Sequence, residues 1–295
     1  MALLLPTNRM IHFMKNYLLV LIAITIASCA TSKPPMPDSN SNTKIEEVFS
    51  KDGSNAVETK VFDSQDPKTK YKVFYPAQLS EKAPLITWGN GTGLTPDSYE
   101  KILRHLASWG FIVIDNYDKN TANGASILAS AKFMIQENNK PGSIFYHKVD
   151  VDHIAASGHS QGAGAIINAH TEYADGNLIK TLLPIALPGL IKSNPNKIRV
   201  PVFFISGGDD RFFSNPKLNV DAYSKVRSDV PSAIAIRKSV SHDAIRDTNL
   251  ETGYVTAWMM YQLRGDGTAA RVFRGSSAEI LSNPNWTNAA TGNFR

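Results

Sequence analysis

His153-Ile154-Ala155-Ala156-Ser157-Gly158-His159-Ser160-Gln161-Gly162-Ala163-Gly164 runs from a short apolar segment into Gly-x-Ser-x-Gly and then into a row of small residues. A strand feeding a helix through that pattern turns sharply, with the serine at the apex of a strained bend. Gly158 and Gly162 suit such a turn because strand and helix pass so close that a side chain at either position would collide. Ser160 is thereby lifted out of the sheet, its hydroxyl exposed and a helix N-terminus behind it.

Outward from this turn, strand-like and helix-like patterns alternate, which predicts a parallel sheet covered on both faces. Val57–Phe62 and Tyr71–Tyr75 read as an antiparallel opening pair across Asp63–Lys70. Leu85–Trp88 is a buried strand ending in Gly89-Asn90-Gly91-Thr92-Gly93, and Pro96–Trp109 follows as an amphipathic helix. Phe111–Ile114 is the next strand and Ala125–Glu137 the next helix. Beyond the serine come strands at Leu182–Leu187, Val202–Ile205 and Ser232–Ile236, then a closing helix at Leu250–Leu263. The expected fold is α/β: a doubly wound, mostly parallel sheet of seven or eight strands with no separate lid domain.

A chain of 295 residues with 42% hydrophobic and 19% charged side chains belongs to the globular class. The formal charge of +5 includes Arg9 and Lys15 of residues 1–28, a stretch without acidic residues. The remaining basic residues are not clustered, which speaks against nucleic-acid binding.

Lys15-Asn16 precedes the apolar run Tyr17–Ile26, followed by small residues and Cys29. A basic start, an apolar core of about ten residues and a small-residue site describe a secretory signal and not a transmembrane span. Ile26-Ala27-Ser28-Cys29 resembles the bacterial lipobox, in which the cysteine is diacylated and becomes the mature N-terminus. Cys29 is the only cysteine, so no disulfide is possible within one chain, and lipidation gives that thiol a purpose in an oxidising compartment. The expected organisation is a lipoprotein signal peptide at 1–28, with 1–13 as a start-site extension before Met14-Lys15. A lipidated Cys29 and Pro/Ser/Asn-rich tether follow at 29–44, then a single domain at 45–295. Export to the bacterial cell envelope follows, with the lipid as the only membrane attachment.

A serine hydroxyl is a poor nucleophile at neutral pH; it needs a base, and the base needs an orienting acid. On this kind of sheet they follow in the order Ser, Asp or Glu, His, each in a loop after a strand. Val202–Ile205 runs into Ser206-Gly207-Gly208-Asp209-Asp210-Arg211, and Ser232–Ile236 is followed by Ser241-His242-Asp243. His242 is the expected base. Asp210, three residues past the first turn glycine, is the favoured acid and Asp209 the alternative; Asp243 is too close to His242 to orient it. His159 projects in a direction from which it cannot reach the hydroxyl. His105, His147, His153 and His170 lack an acid-bearing loop context and read as surface or packing residues, and His12 lies in the leader.

A tetrahedral intermediate needs two preorganised N–H donors. The backbone amide of Gln161 is one, and that of Thr92, in the loop after Leu85–Trp88, is the other. Gly89–Gly93 lacks the Gly-Lys-Ser/Thr of a phosphate-binding loop and the spacing of a dinucleotide site. No cofactor is implied. No metal-ligand cluster is visible; Asp150, Asp152 and His153 read as a satisfied surface group.

With these residues assembled, the chain resembles the α/β-hydrolases grouped with dienelactone hydrolases and the chlorophyllase, bacterial cutinase and polyester hydrolase branch, over roughly residues 83–273. Tyr99–Val113 and Trp258–Asp266 are similar to helix-and-strand and closing-helix signatures of that branch. By position, the resemblance implies Ser160 as nucleophile, Asp210 as acid, His242 as base, and Thr92 and Gln161 as oxyanion donors. The chain departs from polyester hydrolases in having Thr92 where they place an aromatic and Gln161 where methionine often follows the serine. It also has Leu187-Pro188-Gly189-Leu190 where a tryptophan is expected. Phe212 and Phe213, next to the acid, are candidates for an apolar wall. The implied function is an envelope-tethered serine carboxylic-ester hydrolase acting through an acyl-enzyme on small to medium acyl esters, its substrate a small-molecule or polymeric ester. A peptidase or amidase with the same triad, and a non-catalytic envelope-binding lipoprotein on a hydrolase scaffold, are the alternatives.

Overall fold

Along the strand Val202–Gly207, Phe203 and Ile205 join one apolar cluster while Val202 and Phe204 join another. That period-two division, with both sets fully buried, is what a strand covered by helices on both faces requires. A computed structural model describes residues 44–294 of the chain. The expectations for the signal peptide, for Cys29 and for all of the tether but Lys44 fall on residues 1–43 and lie outside the described residues.

Nine strands, among the described residues, form one sheet: β1 (Val57–Phe62), β2 (Tyr71–Pro76), β3 (Ala83–Gly89), β4 (Ile112–Asn116), β5 (Val149–His159), β6 (Thr181–Ile185), β7 (Val202–Gly207), β8 (Ser232–Arg237) and β9 (Trp286–Gly292). Their order is β1-β2-β4-β3-β5-β6-β7-β8-β9. The run from β4 to β8 is parallel, while β1 and β2 at one edge and β9 at the other are antiparallel to their neighbours. The doubly wound, mostly parallel α/β architecture is the expected one. The strand count exceeds the expected seven or eight because β9 is an edge strand. Of Trp286-Thr287-Asn288-Ala289-Ala290-Thr291-Gly292 only Trp286 is buried, so the segment lacks the apolar run that marks the central strands.

The helices are α1 (Ile45–Phe49), α2 (Glu100–Ser108), α3 (Ala125–Asn139), α4 (Gln161–Thr171), α5 (Pro216–Ser224), α6 (Ala244–Asp247), α7 (Thr252–Arg264), α8 (Gly267–Ala270) and α9 (Glu279–Ser282). On one face, α1, α2 and α7 bring Phe49, Leu103, Tyr254 and Trp258 against Trp88, Ala155 and Phe203. On the other, α4 and α5 supply Ile166, Ile167 and Ala222 against Ala156, Leu182 and Phe204. Each large apolar side chain so enclosed contributes about 1.5–3 kcal/mol relative to exposure. The expected helix Pro96–Trp109 is interrupted: Pro96–Tyr99 is a 3-10 turn, and Tyr99 departs from helical dihedrals at φ −117°, ψ 9° before α2 starts. At the other expected boundaries the elements shift by a residue or two. The strand into the serine is the exception, beginning at Val149.

The short helix α1 is held by its N-terminus. The Ile45 and Glu46 amides donate to the Glu279 carboxylate at 2.6 and 2.9 Å, satisfying N–H groups that no capping side chain at Lys44 reaches. Charge and dipole agree there, a carboxylate meeting the positive end of a helix.

Candidate active site

Three loops at the carboxyl ends of the parallel strands converge. Ser160 joins β5 to α4 with φ 55° and ψ −121°, a left-handed backbone that a non-glycine residue adopts only under constraint. Glycines supply the constraint: a Cβ at Gly158 would lie 2.7 Å from the Gly162 carbonyl oxygen, and one at Gly162 would overlap the Gly89 carbonyl. The sequence marked Gly158 and Gly162; that Gly162 abuts the end of β3 is a tertiary fact.

His242 Nε2 lies 2.9 Å from Ser160 Oγ, and His242 Nδ1 lies 2.5 Å from Asp210 Oδ2. Asp210 follows β7 and is buried, and His242 lies between β8 and α6. The other carboxylate oxygen of Asp210 accepts from the Phe213 and Ser214 amides, each at 3.1 Å. Burial alone would raise the Asp210 carboxyl, but the bonds from His242 and from those amides outweigh it and hold it below the ordinary carboxylate value. An ionised Asp210 takes a proton only from Nδ1–H, which leaves the Nε2 lone pair directed at the serine hydroxyl. Asp209 is exposed on the same turn, and its amide donates to the Val240 carbonyl at 2.9 Å. The structure therefore brings Ser160, His242 and Asp210 together, and Asp209 stands outside that line. Asp243 pairs with Arg246.

In the loop after β3 the amides on either side of Thr92 are both engaged. The Gly91 amide donates to Tyr99 Oη at 2.9 Å and the Gly93 amide to the Lys119 carbonyl at 3.0 Å. Among the described residues the Thr92 N–H has no protein acceptor. The Gln161 N–H is the first of α4, where no intrahelical acceptor exists. Thr92 and Gln161 border the same cleft as Ser160. Such an arrangement, a hydroxyl against an oriented base with amides at a helix N-terminus, is suited to nucleophilic acyl transfer.

The cleft encloses about 320 Å³. Its walls are largely apolar, formed by Pro188–Ile191, Phe212, Phe213 and Leu218. The Phe213 ring is 5.1 Å from the His242 ring, while Leu190 and Phe212 are 96% and 93% exposed at the rim. Asn219, which sequence reading did not single out, ties these walls together. Its Oδ1 accepts from the Leu187 amide at 3.1 Å, and its Nδ2 donates to Ser214 Oγ at 2.8 Å.

His159 is buried, with Nδ1 2.9 Å from Tyr99 Oη and Nε2 2.8 Å from the His242 carbonyl. Burial, then the neighbouring His242, lower it to about 4. Burial keeps the Tyr99 phenol protonated, so Tyr99 donates to Nδ1 and Nε2–H donates to the carbonyl. His105 is a buried packing residue, with Nδ1 2.8 Å from Asp52 and Nε2 2.9 Å from Thr256 Oγ1. His153 pairs with Asp150 at 2.8 Å on the surface. Among the described residues no group of three or more His, Cys, Asp or Glu is placed to hold a metal ion.

Residues 30–282 match the family model described as PET hydrolase-like. The cutinases Est2 and Est1 of Thermobifida alba are 23% and 22% identical to the chain over 193 residues, 63% of its length. Those residues span 62% of each cutinase, so the match covers about three-fifths of these relatives.

Proposed function

This chain belongs to the PET hydrolase-like family, and from that membership together with the site geometry we propose that it is a serine carboxylic-ester hydrolase. One observation carries the reading: His242 bridges Ser160 and the buried Asp210, at 2.9 and 2.5 Å, beside two amides that have no acceptor among the described residues. Ser160 Oγ attacks the ester carbonyl carbon while His242 Nε2 takes the hydroxyl proton, and Asp210 stabilises the resulting imidazolium. The carbonyl oxygen gains the negative charge and accepts from the Thr92 and Gln161 amides. Collapse of the intermediate breaks the carbon–oxygen bond to the alcohol, which leaves with the proton from His242. Water then repeats the sequence on the acyl-enzyme, delivering the acid and restoring Ser160.

A cleft of about 320 Å³ with apolar walls suits esters of small to medium acyl chains. The exposed Leu190 and Phe212 at its rim would also contact substrate extending beyond it, as in an ester polymer. Ester hydrolysis is tested with p-nitrophenyl acetate to octanoate, comparing the chain with its Ser160→Ala variant. Turnover that vanishes in the variant supports the reading, and folded protein inert toward the whole series sinks it.

We propose further that Cys29 is diacylated and anchors the enzyme in the bacterial envelope. The motif Ile26-Ala27-Ser28-Cys29 after an apolar run supports this. Labelled palmitate should enter the wild-type chain and not a Cys29→Ala variant; equal labelling of both would refute it.

A further inference from the structure

Gln161 is 6% exposed, and its carboxamide reaches away from its own helix to two loops. Nε2 donates to Thr92 Oγ1 at 3.0 Å. Oε1 faces Thr121 Oγ1 at 3.5 Å, the long limit of a hydrogen bond, while Thr121 donates to the Asn90 carbonyl at 2.9 Å. Asn90 itself donates from Nδ2 to the Asn116 carbonyl at 2.6 Å. The link does not depend on which end of the amide is nitrogen. Reversed, Oε1 would accept from the Thr92 hydroxyl, and Nε2 would donate to Thr121, whose own proton is already directed at Asn90.

The bond to Gln161 acts at the tip of a glycine-flanked turn. Thr92 is exposed and lies between Gly91 and Gly93, and Gly93 has φ +76°, so its own stretch of backbone is intrinsically free. The flanking amides are held by Tyr99 and by the Lys119 carbonyl, and the Gly91 carbonyl, in the same peptide as the Thr92 N–H, accepts from the Leu94 amide at 3.0 Å; the Gln161 bond adds the side-chain anchor at the tip of this turn. An oxyanion donor acts only when it is aimed before charge develops.

We infer that the Gln161 side chain is a positioning residue of the oxyanion hole, aiming the Thr92 N–H through its bond to Thr92 Oγ1. One residue thus supplies a donor from its main chain and sets the other through its side chain. The inference rests on the ester-hydrolase reading.

The test is a double-mutant cycle in the full chain with p-nitrophenyl acetate, using Gln161→Met, Thr92→Val and the pair, with Thr92→Ser as the conservative variant. Active sites are titrated with diethyl p-nitrophenyl phosphate and folding is followed by thermal unfolding. Each single variant should lose about tenfold in kcat per titrated site with KM within about twofold, because the affected bond forms in the transition state. The double variant should be no more than about twofold below the worse single, since either change removes the same contact. Thr92→Ser should recover most of what Thr92→Val loses. Wild-type kcat in Gln161→Met, or losses that multiply in the pair, overturns the inference while the esterase reading stands. A wild-type chain without Ser160-dependent turnover overturns that reading and the inference with it. Should Gln161→Met fail to fold, the exposed Thr92 still permits the comparison of Thr92→Val with Thr92→Ser: equal kcat in those two overturns the inference.

Discussion

His159 Nε2 donates across 2.8 Å to the main-chain carbonyl of His242, so the residue before Ser160 holds the backbone of the residue that bridges Ser160 to Asp210. The chain of bonds runs on through Nδ1 to Tyr99 and from there to the Gly91 amide, joining the loop after β3 to the loop after β8.

Protonation of His159 breaks that chain, because Nδ1 then has no lone pair for Tyr99. An unfolded histidine titrates near 6.5 and the folded one at about 4. Between those values the unfolded chain binds a proton that the folded chain refuses. Stability is therefore fully present above about pH 6.5 and is lost as pH falls toward 4. His159→Gln, which cannot titrate, should show a flatter acid limb in Tm against pH. His159→Leu, which cannot donate, should lower kcat/KM about tenfold, the equivalent of one net hydrogen bond of ~1.4 kcal/mol.

Asp210 and Asp209 are neighbours in sequence with different surroundings, one buried against His242 and the other exposed. Asp210→Asn should reduce kcat by about 10³–10⁴ through loss of the correct imidazole tautomer. Asp209→Asn should leave kcat within about twofold, as expected of a surface change. The opposite ranking in steady-state kinetics would transfer the acid's role to Asp209.

Glu251, buried at the start of α7, is raised to about 8 by burial first and by the Asp210 charge, with Arg237 acting in the opposite sense. The folded state holds a proton that the unfolded state releases near 4.5. Its contribution to stability is fully present below about 4.5 and is lost as pH rises through about 8. Glu251→Gln, neutral at every pH, should raise Tm by a few degrees at pH 8 and by little at pH 5. A variant less stable than wild type at pH 8 would contradict this.

Leu190 and Phe212 stand almost wholly exposed at the cleft rim. Their joint replacement by serine should leave Tm within about 2 °C, because little apolar area is buried there. KM for the octanoate ester should rise several-fold while that for acetate stays the same. An equal change for both esters would remove the rim from the acyl-binding surface.

Gly162→Ala sets a methyl group into the Gly89 carbonyl. Backbone on both sides leaves nowhere to relax, so a loss of at least about 3 kcal/mol is expected, at the upper end of overpacking costs. Chemical denaturation measures it.

Much of this site was legible in one dimension because its parts are local. Gly158-His159-Ser160-Gln161-Gly162 carries its own backbone geometry, and the acid and base sit in turns that directly follow apolar strands. The order of those strands along the chain therefore sufficed to name Ser160, His242 and the Asp209-Asp210 turn as a set. The central sheet was equally plain, since strands covered on both faces are continuous apolar runs. Strand β9 was not, because an edge strand with one buried residue has no such run.

What tertiary structure alone decided was every contact between residues far apart in sequence. The choice of Asp210 as the partner of His242 depends on how the turn after β7 folds against the loop after β8. The burial of His105 and His159, the Asn219 clamp and the approach of Gly162 to Gly89 depend on packing between elements. Thr92 and Gln161, read as two separate departures from the polyester hydrolase pattern, are a single hydrogen bond 3.0 Å long. Sequence specifies which side chains are available and how each segment tends to bend. Which donor meets which acceptor is settled when burial leaves each polar group only the partners within reach.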